Sequence, residues 1–272
     1  MVGTVVALGK TRYADYTGNI MNDPRANVQR AEGRSFLRQS NNTYDIIQMF
    51  SNHTSSSIAA GSGAMQANYL KTVEAYKEYF SHLSDQGILH INNHVYPKMV
   101  ATASRAWAEL GMKDFRKYLL VAEVPAVRDD LPTMMIKMSR WTQGEVAKVK
   151  AYLGNRFRFP AEPFSPDRSY LTEDFYSGPL PQSIIDTAPY RIEEPTDNKP
   201  FFNSLRISLE TLTKVDRDRY VNTGVSSLMN SQKSTGYSID VMHLIIRVGA
   251  AIVFAVLFTL GPLMFAKRGQ QK

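Results

Sequence analysis

The chain has 272 residues, 43% of them apolar and 21% charged, which suits a folded chain of one large or two small domains and excludes a disordered one. It has no cysteine, so disulfide scaffolds, thiolate catalysis and cysteine-ligated zinc or iron–sulfur centres are excluded. The net charge of +7 falls to +4 once Lys267, Arg268 and Lys272 are set aside, too little and too scattered for a nucleic-acid surface, so no nucleic-acid partner is expected.

Along the chain the apolar period alternates between strand-like and helix-like, the order of an α/β sheet. Residues 26–31 read as a short strand, and the compact run at 43–50 reads as a buried one. The small-residue stretch 51–63 has no period and reads as a loop. From Met65, the apolar positions Tyr69, Leu70, Val73, Tyr76, Phe80 and Leu83 recur at helical spacing and predict a long amphipathic helix. Gly87 ends the turn that follows, and 87–95 predicts another strand. Val100, Ala103, Trp107 and Leu110 form the next helical stripe, closed by Gly111.

Two further strands are expected at 115–124 and 133–141. Thr142 and Glu145 spell a capping box, in which hydroxyl and carboxylate satisfy backbone N–H groups at a helix start; the helix runs through Val146, Val149, Tyr152 and Leu153. Residues 155–203 hold eight prolines and no period, and so predict a long wrapping segment. Residues 204–212 predict a short helix, and 220–238 a polar linker.

From Val248 to Ala266 run nineteen uncharged residues, which as a helix would reach roughly 29 Å, about one hydrocarbon core. No polar face interrupts them, so a transmembrane helix over 241–266 with a basic tail at 267–272 is expected. No apolar stretch of signal-peptide length opens the chain, which favours a single-pass C-terminal anchor with the large domain in the cytoplasm. The terminal cations argue the opposite orientation, since positive charge tends to stay inside.

Several pieces carry a family resemblance. ADYTGN (14–19), DPRANVQRAEGRSFLR (23–38), YDIIQMF (44–50), NYLKTVEAYKEYFSHLSDQGILHIN (68–92), WTQGEVAKVKAYL (141–153) and EEPTDNKPFF (193–202) come in the order found in membrane-associated spermidine-synthase-like proteins. The chain resembles the C-terminal portion of that family, a variant of the class I S-adenosylmethionine-dependent methyltransferase fold. The resemblance implies a Rossmann-like sheet of strand order 3-2-1-4-5-7-6, here incomplete because its first two strands are missing. VVALGKTRYADYTG then corresponds to the helix after the second strand. Residues 1–154 are thus expected to form a partial domain, followed by the wrapping segment with its short helix at 155–219, a linker at 220–240 and the membrane helix.

The departures bear on chemistry. The Gly-rich turn and the ribose-binding carboxylate of nucleotide sites are absent. Of the implied nucleotide contacts one position survives, Glu32, near where the adenine would lie. Aminopropyl transfer needs a carboxylate base after the fourth strand. Its two acidic positions align with Phe50 and His53, so His53 is the one remaining catalytic candidate, while Asp45 matches a structural strand-edge aspartate. His90 and His94 lie in a predicted strand, where residues four apart are roughly 13 Å distant and cannot share a metal. The methionines at 134, 135 and 138 read as packing, the Asn41 and Asn52 sequons as chance, and 216–219 as a solvated face.

The expectation is a membrane-anchored accessory or structural subunit of a membrane protein complex without independent catalysis. Its partners would be other membrane-protein subunits and the lipid bilayer. No cofactor is expected, except an S-adenosylmethionine-type nucleotide if a partner chain completes the site. The alternative is an aminopropyl- or methyl-transferase whose nucleotide-binding half is on another chain.

Overall fold

The computed structural model describes residues 3–50, 67–93, 96–124, 132–166, 171–188, 190–203 and 246–259. Five strands form one sheet: β1 (Tyr44–Met49), β2 (Leu83–Asn92), β3 (Leu119–Glu123), β4 (Thr133–Lys137) and β5 (Arg158–Ala161), in the order β1-β2-β4-β3-β5. β1 and β2 are parallel, and the pairs β2–β4, β4–β3 and β3–β5 are antiparallel. The fold is therefore mixed α/β. β1, β2 and β3 share one direction, so their carboxyl ends meet at one edge of the sheet.

Side-chain alternation along the strands explains why the sheet is buried on both faces. Leu119 and Val121 of β3 join Leu89 and Ile91 of β2 and Met134 and Ile136 of β4 in the main core. The intervening Leu120 and Ala122, with Ile88 and Met135, belong to a second core on the opposite face. The main core is covered by helices Val73–Ser81 and Tyr96–Glu109, and the second by helix Gln143–Leu153 with Trp141 and Phe159. Both halves of the Thr142–Glu145 capping box are made.

Residues 155–203 contribute more than a wrap. They supply β5 and a short helix, Gln182–Thr187, and bury Phe175, Ile184, Tyr190, Ile192 and Phe202 in the main core. Two backbone hydrogen bonds lace this segment over the entry to the first core helix, Asn68 N to the Pro200 carbonyl at 2.7 Å and Val73 N to the Pro195 carbonyl at 2.9 Å.

The expected fold class, an incomplete Rossmann-like sheet carrying a transmembrane helix, is corrected. Among the described residues no helix is long and apolar enough to cross a membrane. The described helix over 246–259 has 14 residues, or about 21 Å against a hydrocarbon core of about 30 Å. The single-pass C-terminal anchor expected from the same run is thus without a described span; residues 260–266 lie outside the described residues.

Residues 26–31 form no strand; this stretch carries no regular structure. The long helix from Met65 is instead a 3₁₀ turn, Tyr69–Lys71, followed by nine helical residues that begin at the Thr72 cap. Leu83 already belongs to β2, because the pairing with β1 skips from Leu83 opposite Tyr44 to Ile88 opposite Ile46. An extra loop of strand is therefore accommodated where the sequence shows only a break in helical period. The predicted loop 51–63, the helix 204–212, the linker 220–238 and the charged run 216–219 lie outside the described residues.

Candidate functional site

The carboxyl ends of the parallel strands are where open α/β sheets commonly take ligands. Here that edge is built from the ends of β1 and β2 and the helix start after β2. The Gln48 amide donates to Nδ1 of His90 at 2.8 Å, which leaves the ring proton on Nε2. Nε2 is buried and has no hydrogen-bond partner among the described residues. Burial also lowers the His90 pKa, which favours the neutral imidazole. Beyond it, Asn92 donates to the Thr133 hydroxyl while its Oδ1 has no partner among the described residues.

Asn93 is fully buried, with neither side-chain amide atom bonded to any of the described residues. Tyr96, at the start of the next helix, is also fully buried, and its hydroxyl has no partner among the described residues. Burial raises its pKa, reinforced by Glu123 at the end of β3. Buried polar groups normally find partners, so this concentration at one strand end is unusual. The groups are neutral hydrogen-bonding groups and include no carboxylate base.

The residues singled out from sequence are placed as follows. Glu32 caps the helix Gly33–Arg38: its carboxylate accepts from Arg34 N at 3.0 Å, Ser35 N at 2.8 Å and Ser35 Oγ at 2.9 Å. Burial pushes its pKa up, but the hydrogen bonds from Ser35 and Arg34 outweigh that and hold the carboxyl below its ordinary range. Phe50 follows β1, 70% exposed, with its ring edge-on to His90 at 6.0 Å. Asp45 accepts a hydrogen bond from Ser84 Oγ at 2.8 Å, tying β1 to β2. His53 and His94 lie outside the described residues. Among those described, no group of three or more metal-ligating side chains occurs.

Sequence reasoning missed the strongest polar cluster. Arg34 is buried and makes forked hydrogen bonds to two carboxylates: Glu78 at 3.0 and 2.8 Å, and Asp197 at 2.7 and 2.8 Å. Arg38 adds a second cation to Glu78 at 2.5 Å, and Thr72 Oγ1 donates to Asp197 at 2.7 Å. The Asp197 backbone N–H is in turn held by Glu74 at 2.9 Å. The cluster fastens the EEPTDNKPFF motif onto the first core helix, a structural role that the motif's composition alone does not reveal.

No family model and no curated protein matches the chain. Among solved structures it is similar to a spermidine synthase in complex with the transition-state analogue AdoDATO, at 15% identity and a TM-score of 0.35. It is also similar to the spermidine synthase from Thermotoga maritima, at 16% identity and a TM-score of 0.36. Each match covers 67% of this chain and 55% of the synthase, so the chain spans about half the length of the proteins it matches.

Proposed function

We propose that the chain is an accessory or structural subunit of a larger protein assembly, spermidine-synthase-like in its sheet and without catalysis of its own. One observation carries the reading: β1 closes the described sheet on one side, paired only with β2. Its Ile46 is 64% exposed, and Phe50 just beyond is 70% exposed. A strand edge with free backbone groups and apolar side chains is a template for another strand, and natural sheets cover such edges. An extended segment of another polypeptide, with an apolar residue against Ile46, is the occupant this edge suits. Two further observations support the absence of catalysis: Phe50 cannot act as a base, and the Glu32 carboxylate is engaged in capping its own helix.

The test is hydrogen exchange on the protein purified from its native source and on the isolated chain. The β1 amides on the side away from β2 should be protected in the native preparation and exchange quickly in the isolated chain, which should bind neither S-adenosylmethionine nor its decarboxylated form in calorimetry. A native monomer with unprotected β1, or micromolar nucleotide binding by the chain alone, overturns the reading.

A second reading is favoured by the unpartnered groups of His90, Asn92, Asn93 and Tyr96. Under it the chain is a transferase whose nucleotide-binding half is on another chain, and these groups face a ligand completed by that partner. Nucleotide binding that arises only in the reconstituted pair would select it over the first.

A further inference from the structure

Lys98 sits in the first turn of helix Tyr96–Glu109 and is 2% exposed. It lines a cleft of about 1010 Å³ whose walls include Arg105, Leu180, Tyr190, Glu194 and Phe201. Its ammonium nitrogen has no hydrogen-bond or ion-pair partner among the described residues; the contact it makes is with the Phe202 ring, 5.5 Å from the centroid. Lys71, 7% exposed and likewise without a carboxylate partner among them, stands over the same ring at 4.9 Å. Two buried lysines on one aromatic ring, neither in ion-pair contact with a carboxylate among the described residues, form an arrangement that packing alone does not call for.

We propose that Lys98 is a nucleophilic amine that captures a small aldehyde or ketone in this cleft as a Schiff base. The inference does not depend on the subunit role proposed above. A lysine taken out of water reaches its neutral, nucleophilic form near neutrality. Burial pushes Lys98 down to about 7; Glu193 and Glu194 pull it up and Arg191 pushes it down. The other cation on its own helix, Arg105, is engaged by Glu109 at 2.9 Å. Across the ring, Lys71 is pushed down to about 8 by burial. The charged side chains that share the cleft wall with Lys98 are of both signs, Arg105, Arg191 and Lys199 against Asp186, Glu193 and Glu194, so the lining selects for neither an anion nor a cation.

The chemistry needs no further reactant. The Nζ lone pair adds to the carbonyl carbon, and one amine proton passes to the former carbonyl oxygen. The carbinolamine then expels that oxygen with the remaining amine proton as water, which leaves a carbon–nitrogen double bond.

The experiment uses the full chain with acetaldehyde and cyanoborohydride at about pH 7, with adducts mapped by peptide mass spectrometry. Lys98 should be ethylated at least about tenfold faster than the exposed Lys148, and lowering the pH by about two units should slow it about fiftyfold, as the neutral amine fraction falls. Lys98→Arg should remove that fast-labelling site alone. Labelling of exposed lysines while Lys98 reacts only after unfolding in urea overturns the proposal. This ratio is read on the unaltered protein, so it decides the matter even if the variant fails to fold.

Discussion

Arg34 and Asp197, 163 positions apart in the chain, meet through two parallel hydrogen bonds, Nη1 to Oδ1 at 2.7 Å and Nη2 to Oδ2 at 2.8 Å. The Arg34 side chain is only 5% exposed, and its guanidinium also holds Glu78. Forked geometry of this kind is open to arginine and closed to lysine.

Arg34→Ala should therefore destabilise the fold by about 3 kcal/mol, toward the low end for a broken buried pair because both carboxylates keep some solvent access. Arg34→Lys should recover only part of that loss. Urea unfolding followed by circular dichroism measures both, and equal stability of the lysine variant and the unaltered chain would contradict the forked arrangement.

Acid should weaken the fold with a defined sign. The hydrogen bond from Lys137, then that from the Thr142 backbone, lowers Glu145 from 4.5 to about 2. The Arg34 hydrogen bond holds Asp197 below its ordinary 3.8. A carboxyl whose folded pKa is depressed contributes stability above its unfolded pKa and loses it as pH falls through the folded one. The urea midpoint should thus be level above about pH 5 and decline toward about pH 2. Glu145→Gln should flatten part of that decline.

Gly87 lies where β2 rejoins β1. A Cβ there would come within 2.9 Å of the Tyr44 carbonyl oxygen and 3.0 Å of the Leu83 Cβ. Gly87→Ala should cost roughly 1–3 kcal/mol, as overpacking does. The loss should concentrate in faster hydrogen exchange of the β1 amides, with β3 and β4 little changed.

Ile46→Lys tests the sheet edge in the assembly. Because Ile46 is 64% exposed, the substitution should leave the isolated chain's stability within about 0.5 kcal/mol. It should nonetheless release the chain from its native assembly in sedimentation, since an edge lysine opposes strand addition.

Local signals were legible in the sequence and distant ones were not. The Thr142–Glu145 box needs only four consecutive residues and is present as read; of the stripe Val100, Ala103, Trp107 and Leu110, the first three are buried on one helix, while Leu110 lies just past its end and is 44% exposed. The strand at 26–31 failed because its apolar residues, Ala26, Val28 and Ala31, are too few and small to hold a strand in place. The core residues Phe175, Tyr190 and Phe202 stand in a stretch without period, so no pattern marks them as buried. At the candidate site, Glu32 was found by position in a motif, but its capping duty depends on the helix that follows. Lys98 gave no signal, since a lysine beside a helical stripe ordinarily reaches solvent, and what buries it is Phe202, about a hundred residues away in sequence.

The Arg34 fork also sets a timetable for synthesis. At roughly 5–20 residues per second, the Glu78 carboxylate leaves the ribosome about 2–9 s after Arg34, whereas Asp197 follows only after about 8–33 s. During that interval a guanidinium destined for burial has one of its two carboxylates, and Lys71 and Lys98 wait uncovered for the Phe202 ring. The first core helix of a nascent chain is thus open to chaperones and proteases until the EEPTDNKPFF motif arrives to fasten it.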